Sequence, residues 1–185
     1  MIERYEIRLS GSGGQGLILG GKIIAEAAAI FDGHNAVQTQ SYGPEARGGA
    51  SKAEVVISDN EIDYPKAIQV DLLLALTQES CTKYSHDLKK SGILIVDSDA
   101  VKELPRGDFK VYAVPIIRLA IEEVGKAVVT NIVALGIITK ISGIVTEEAM
   151  RKAILKRVPK GTEELNMKAF ETGLKKGEEL LAKGK

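Results

Sequence analysis

Cysteine is nearly absent from this sequence: Cys81 is the only one in 185 residues. One cysteine excludes an intrachain disulfide, and it excludes a cysteine-ligated zinc or iron–sulfur cluster held within one chain. Histidine is almost as scarce. His34 and His86 are the two present, and neither has further ligand-type residues at metal-site spacing. Net charge is missing as well, because lysine plus arginine and aspartate plus glutamate number 25 each. That balance argues against a nucleic-acid binder that depends on a general basic field. No long uncharged apolar run occurs. Ala127 to Val145 is the most apolar stretch, and Thr130, Asn131, Thr139, Lys140 and Ser142 interrupt it. It falls short of the ~18 or more apolar residues of a spanning helix. Met1 to Ser10 carries Glu3, Arg4, Glu6 and Arg8, unlike a signal peptide. The expectation is a soluble, cytoplasmic, single-domain chain over 1–185, with neither membrane nor nucleic acid as a partner.

What is present is an alternation of strands and helices. Tyr5 to Leu9 has the period of a strand, and Leu17 to Phe31 reads as a helix closed by Asp32-Gly33. Lys22 and Glu26 are the only charges of that helix, so it is expected to be buried nearly all round, on the sheet and on a neighbour. Further strands are expected at Asn35 to Gln40, Lys52 to Ile57, Val70 to Leu76, Gly92 to Val96 and Phe109 to Val114. Helices are expected around Glu79 to Lys89, then at Ile116 to Val124, Val128 to Ser142, Thr146 to Arg157 and Glu163 to Ala182. Acidic pairs Glu147-Glu148 and Glu163-Glu164 fall in first turns, where the helix dipole favours them. Apolar strands separated by helices imply an α/β domain with three layers: a mainly parallel sheet flanked by helices on both faces. The charged tail, 175–185, is expected to fray.

Two segments carry chemistry. Gly11, Gly13 and Gly16, with Gly14 and Gln15 between them, form G-x-G-x-x-G after a strand and before a helix. Such a loop lets backbone N–H groups approach an anion at a helix N-terminus, so these residues are candidate cofactor-phosphate contacts. A dinucleotide site also wants an acidic residue at the end of the second strand, where Gln38-Thr39-Gln40 stands instead. Close packing is the alternative role for the glycines. The second segment is Ser41-Tyr42-Gly43-Pro44-Glu45-Ala46-Arg47-Gly48-Gly49, a turn-rich loop around one cation. Tyr42, Gly43, Pro44, Glu45, Gly48 and Gly49 would frame Arg47 for a carboxylate, a phosphate or a partner's acid; a solvated arginine is the alternative. Asp97 and Asp99, after a strand, could bind a ligand or cap a turn. There is no G-x-S-x-G, Walker lysine or Ser–His–Asp set. No catalytic residue and no metal ligand is assigned.

Taken together, G-S-G-G-Q-G at Gly11 to Gly16 and Q-S-Y-G-P-E-A-R-G-G at Gln40 to Gly49 resemble the gamma subunit of 2-oxoacid:ferredoxin oxidoreductases. The 2-oxoglutarate branch is the nearest, and Ser51 to Ser58 and Asn131 to Gly136 fit it too. The resemblance implies a Rossmann-like fold, as in the gamma domain of pyruvate:ferredoxin oxidoreductase. It implies a share in the oxidative decarboxylation of 2-oxoglutarate with coenzyme A to succinyl-CoA, with reduction of ferredoxin. Thiamine diphosphate, magnesium and [4Fe–4S] clusters would then sit in alpha, beta and delta-type subunits. This chain has one cysteine and no thiamine-type G-D-G segment, so none of these cofactors is assigned to it alone. Two alternatives stay open: a stand-alone nucleotide-binding α/β protein, or a gamma subunit of a 2-oxoisovalerate or pyruvate type.

Overall fold

The computed structural model describes residues 1–41 and 49–184. Six strands form one sheet: β1 (Tyr5–Ser12), β2 (Asn35–Gln40), β3 (Ala50–Ser58), β4 (Val70–Ala75), β5 (Leu88–Asp97) and β6 (Lys110–Val114). Their spatial order is β2-β3-β1-β4-β5-β6. β1, β4, β5 and β6 run parallel, as expected of a mainly parallel sheet. β3 is antiparallel to both of its neighbours. The connection from β2 to β3 explains that exception. It is shorter than the dozen or so residues that a parallel crossover needs.

The helices are α1 (Leu17–Glu26), α2 (Gln78–Tyr84), α3 (Ile116–Leu119), α4 (Thr130–Ser142), α5 (Glu147–Arg157) and α6 (Glu163–Lys183). Wider π turns, Ala27–Phe31 and Ala120–Val124, extend α1 and α3. Asp32 and Gly33 end the first of these as expected, with Gly33 at a φ of 76°. The layers are unequal. On one face Ile7, Leu9, Leu72, Leu74 and Ile95 pack with Ile23, Ile24, Ile132 and Phe170 into the main core. On the other, Leu73, Ala75, Leu94 and Val96 meet Cys81 and Tyr84 of the short α2. The neighbour that covers the outer side of α1 belongs to the same chain: α4 and α5 pack on it.

Three local expectations are corrected. β1 runs on to Ser12, because Gly11 and Ser12 pair with Ser51 and Ala50 of β3. The helix expected to reach Lys89 stops at Tyr84, and Leu88 to Lys90 join β5. Asp87 is the cause, since both of its carboxylate oxygens are drawn onto Arg8 of β1. The tail expected to fray from 175 is helical to Lys183, since Leu174 is buried and Leu180 packs against the core.

Candidate functional site

β1 delivers the chain to the carboxyl edge of the parallel strands, and α1 carries it away. The glycine loop makes that reversal. Gly14 and Gly16 take φ values of 84° and 73°, a region that costs side-chain-bearing residues about 1–2 kcal/mol. Gly16 is the residue at the N-cap of α1, so no side chain caps this helix, and no acid lies in its first turn. By contrast Thr77 and Thr146 cap α2 and α5 through their hydroxyls, with acids following. The N-terminal N–H groups of α1 and their partial positive charge are therefore left facing a cleft of about 390 Å³.

Ser12, Gly13, Gly14, Gln15, Gly16 and the first turn of α1 line that cleft. Gly11 does not. It lies inside β1, and the Gln15 side chain fills the space that a Cβ there would occupy. Gln15 Oε1 accepts the Ser12 N–H at 2.8 Å, so it braces the loop from within. Ser41 and Ser51 form the opposite wall. Ser41 opens the second motif and Ser51 follows it by two residues, so the chain enters and leaves it beside the glycine loop. Tyr42, Gly43, Pro44, Glu45, Arg47 and Gly48 themselves lie outside the described residues. Gly49 is described, and it leads directly into β3.

Asn131, given no site role by the sequence reading, touches the loop. Its Nδ2 donates to the Gly16 carbonyl at 3.1 Å, although 115 positions separate them. An isolated amide in an apolar helix is a signal for such a contact, since a buried polar group needs a partner. The other candidates have structural partners. Asp97 Oδ1 accepts the N–H groups of Asp99 and Ala100, each at 3.0 Å, and Oδ2 accepts that of Ile117 at 2.9 Å. Asp99 pairs with Arg118. His34 Nδ1 lies 2.6 Å from Asp59, and His86 Nδ1 lies 3.0 Å from the Lys83 carbonyl. Burial pushes the Cys81 thiol up, away from thiolate chemistry.

The sheet order also bears on the dinucleotide alternative. In the doubly wound fold the second strand lies directly beside the first. Here β3 stands between them, which moves the end of β2 roughly 9–10 Å from β1. Gln38 and Gln40 at that end bond to each other through their side chains, and β2 itself carries no acid.

Among the described residues no helix is long and apolar enough to cross a membrane. The chain is 54% identical over 179 residues to the 2-oxoglutarate synthase subunit KorC of Methanocaldococcus jannaschii, covering 96% of each. The subunit of that name from Methanothermobacter thermautotrophicus is 52% identical over 180 residues, 94% of this chain and 95% of that one. A crystal structure of the gamma subunit of a keto/oxoacid ferredoxin oxidoreductase from Geobacter sulfurreducens has the same fold, with a TM-score of 0.90. It is 56% identical, and the match covers 96% of this chain and 98% of that one. The family model described as pyruvate ferredoxin/flavodoxin oxidoreductase matches residues 6–176, from the start of β1 into α6. With both glycine-rich segments inside that span, the chain belongs to the pyruvate ferredoxin/flavodoxin oxidoreductase family.

Proposed function

We propose that this chain is the gamma-type subunit of a cytoplasmic enzyme that oxidatively decarboxylates 2-oxoglutarate with coenzyme A. The products would be succinyl-CoA, carbon dioxide and reduced ferredoxin. One observation carries the reading: identity of half or more, over nearly the full length, to subunits named for 2-oxoglutarate synthase. Thiamine diphosphate, magnesium and [4Fe–4S] clusters are assigned to alpha, beta and delta-type partners. For the clusters, the support is that this chain has a single cysteine, and it is buried. The work of this chain would be to bind. Backbone N–H groups of Gly13, Gly14 and the first turn of α1 would take a phosphate of coenzyme A in the cleft. The rest of the substrate would lie against the sister chains.

The test is reconstitution with the sister subunits, following dye or ferredoxin reduction. Turnover is expected to require 2-oxoglutarate, coenzyme A and the whole complex. Preference for 2-oxoisovalerate or pyruvate would move the assignment to another branch, and turnover by the isolated chain would overturn the subunit reading.

Arg47 supplies the second expected result. Its guanidinium is an always-charged fork in a glycine-bounded stretch of sequence, suited to a coenzyme A phosphate, a substrate carboxylate or an acid of the alpha subunit. A charge-assisted hydrogen bond is worth roughly 1.5–3 kcal/mol, so Arg47→Ala should cost on the order of 10- to 100-fold in the affected constant. Arg47→Lys should recover part of the loss. Steady-state kinetics, with assembly checked by gel filtration, identifies the partner from which constant moves. Normal assembly with every constant within twofold would leave the arginine merely solvated.

A further inference from the structure

Beyond the strand pairing of Gly11 and Ser12 with β3, two side-chain amides brace the glycine loop. Gln15 acts from inside, through the Ser12 N–H. Asn131 acts from outside, from the first turn of α4, and it is 6% exposed. Its two ends are distinguishable. Oδ1 accepts the Ile132 N–H at 3.0 Å, which fixes the amide so that Nδ2 faces Gly16. The Gly16 carbonyl is where α1 begins, since it also accepts the Gly20 N–H at 3.0 Å. One oxygen thus carries the first helical bond and the bond from α4.

Glycine at position 16 is required twice over. Its φ of 73° is one reason. The other is that a Cβ there would lie 2.5 Å from Asn131 Nδ2. The glycine and the asparagine are therefore a fitted pair, and the absent side chain is what lets the amide reach the backbone. Turning the Gly16 peptide would turn the N–H groups that follow it, which are those that face the cleft.

We propose that Asn131 is a positioning residue of this site: its amide fixes the Gly16 peptide and so aims the first-turn N–H groups of α1 at the bound anion. The proposal rests on the reading that the loop meets coenzyme A. Asn131→Asp is the sharpest change, because a carboxylate still accepts from Ile132 but presents an acceptor to the Gly16 oxygen. In the assembled complex it should raise the apparent KM for coenzyme A about 5- to 30-fold. The turnover number and the KM for 2-oxoglutarate should stay within twofold. Amide hydrogen exchange gives a readout independent of activity, and the Gly20 N–H should exchange faster in the variant.

Unchanged exchange at Gly20 with unchanged kinetics would overturn the proposal. Faster exchange without a coenzyme A effect would uphold the positioning and instead overturn the reading of the loop as the coenzyme A site. Loss of assembly in both Asn131→Asp and the milder Asn131→Ala would reduce Asn131 to a packing role and also overturn the proposal. If only the aspartate variant fails, the same two measurements on Asn131→Ala decide, with the same expected direction.

Discussion

Arg8→Ala is expected to destabilise the folded chain by about 3 kcal/mol, because it strands the buried Glu54 carboxylate and the partly buried Asp87 around one missing cation. The Arg8 side chain is 3% exposed. Its Nε and Nη2 donate to Glu54 Oε2 at 3.1 and 2.9 Å, and Nη2 also donates to Asp87 Oδ2 at 2.8 Å. Nη1 donates to the Tyr84 carbonyl at 3.0 Å and to Asp87 Oδ1. With arginine gone, Glu54 retains only Lys52 among the charged partners described for it, and Asp87 retains only a distant, exposed His86. Urea denaturation of the two chains measures the loss. A difference under about 1 kcal/mol would mean that water and Lys52 replace the arginine, and the network would then be of little consequence.

The same network gives the loss a pH dependence. Burial pushes the Asp87 carboxyl up, but the hydrogen bond and charge of Arg8 outweigh it and hold the group below the usual carboxylate range. A depressed pKa gives stability that is present above the unfolded value, near ~3.9 for aspartate, and lost as pH falls through the lower folded value. The gap between wild type and Arg8→Ala should therefore be full at neutrality, begin to narrow where the Asp87 carboxyl of the variant, left with burial and without Arg8, takes up its proton, and go on narrowing as pH falls through the lower folded value of the wild type.

Gly173→Ala should cost roughly 3 kcal/mol, at the upper end of what overpacking usually does. A Cβ at Gly173 would lie 2.1 Å from the Val133 carbonyl oxygen and 2.9 Å from Gly136 Cα. One at Gly136 would lie 2.4 Å from the Phe170 carbonyl oxygen and 2.7 Å from the Leu174 nitrogen. These are backbone atoms of α4 and α6, so no side chain can swing aside. The helices would have to separate around Phe170, which is fully buried. The sign is informative, since alanine is intrinsically better in a helix than glycine by about 1 kcal/mol. The double variant with Gly136→Ala should lose less than the two single losses added, because one separation makes room for both methyl groups. Thermal or urea unfolding of the four chains measures this. A neutral or stabilising Gly173→Ala would show that the crossing relaxes freely.

Much of this molecule is legible in local pattern. Apolar alternation, helical spacing and the turn at Asp32-Gly33 each depend on residues within one or two turns of chain, and so does the placing of the glycine loop between β1 and α1. The four late helices are placed well for the same reason. Ser12 to Gly16 and the ends of the second motif meet at one cleft because both segments follow strands whose carboxyl ends share an edge.

What only the tertiary structure decided is which polar residues face inward and onto what. Arg8 sits in an alternating strand, and nothing near it in sequence says that Glu54 and Asp87, 46 and 79 positions away, close around it. Those contacts also end α2 before Asp87, where helical spacing alone would carry it on. Asn131 likewise reads as one amide in an apolar helix until α4 is laid against the glycine loop. Gly136 and Gly173 acquire their reason only where two helices cross backbone to backbone. Periodicity reports which side of an element is apolar. A partner across the fold is fixed by the packing of elements distant in sequence, and a buried charge or amide obtains its stabilisation there.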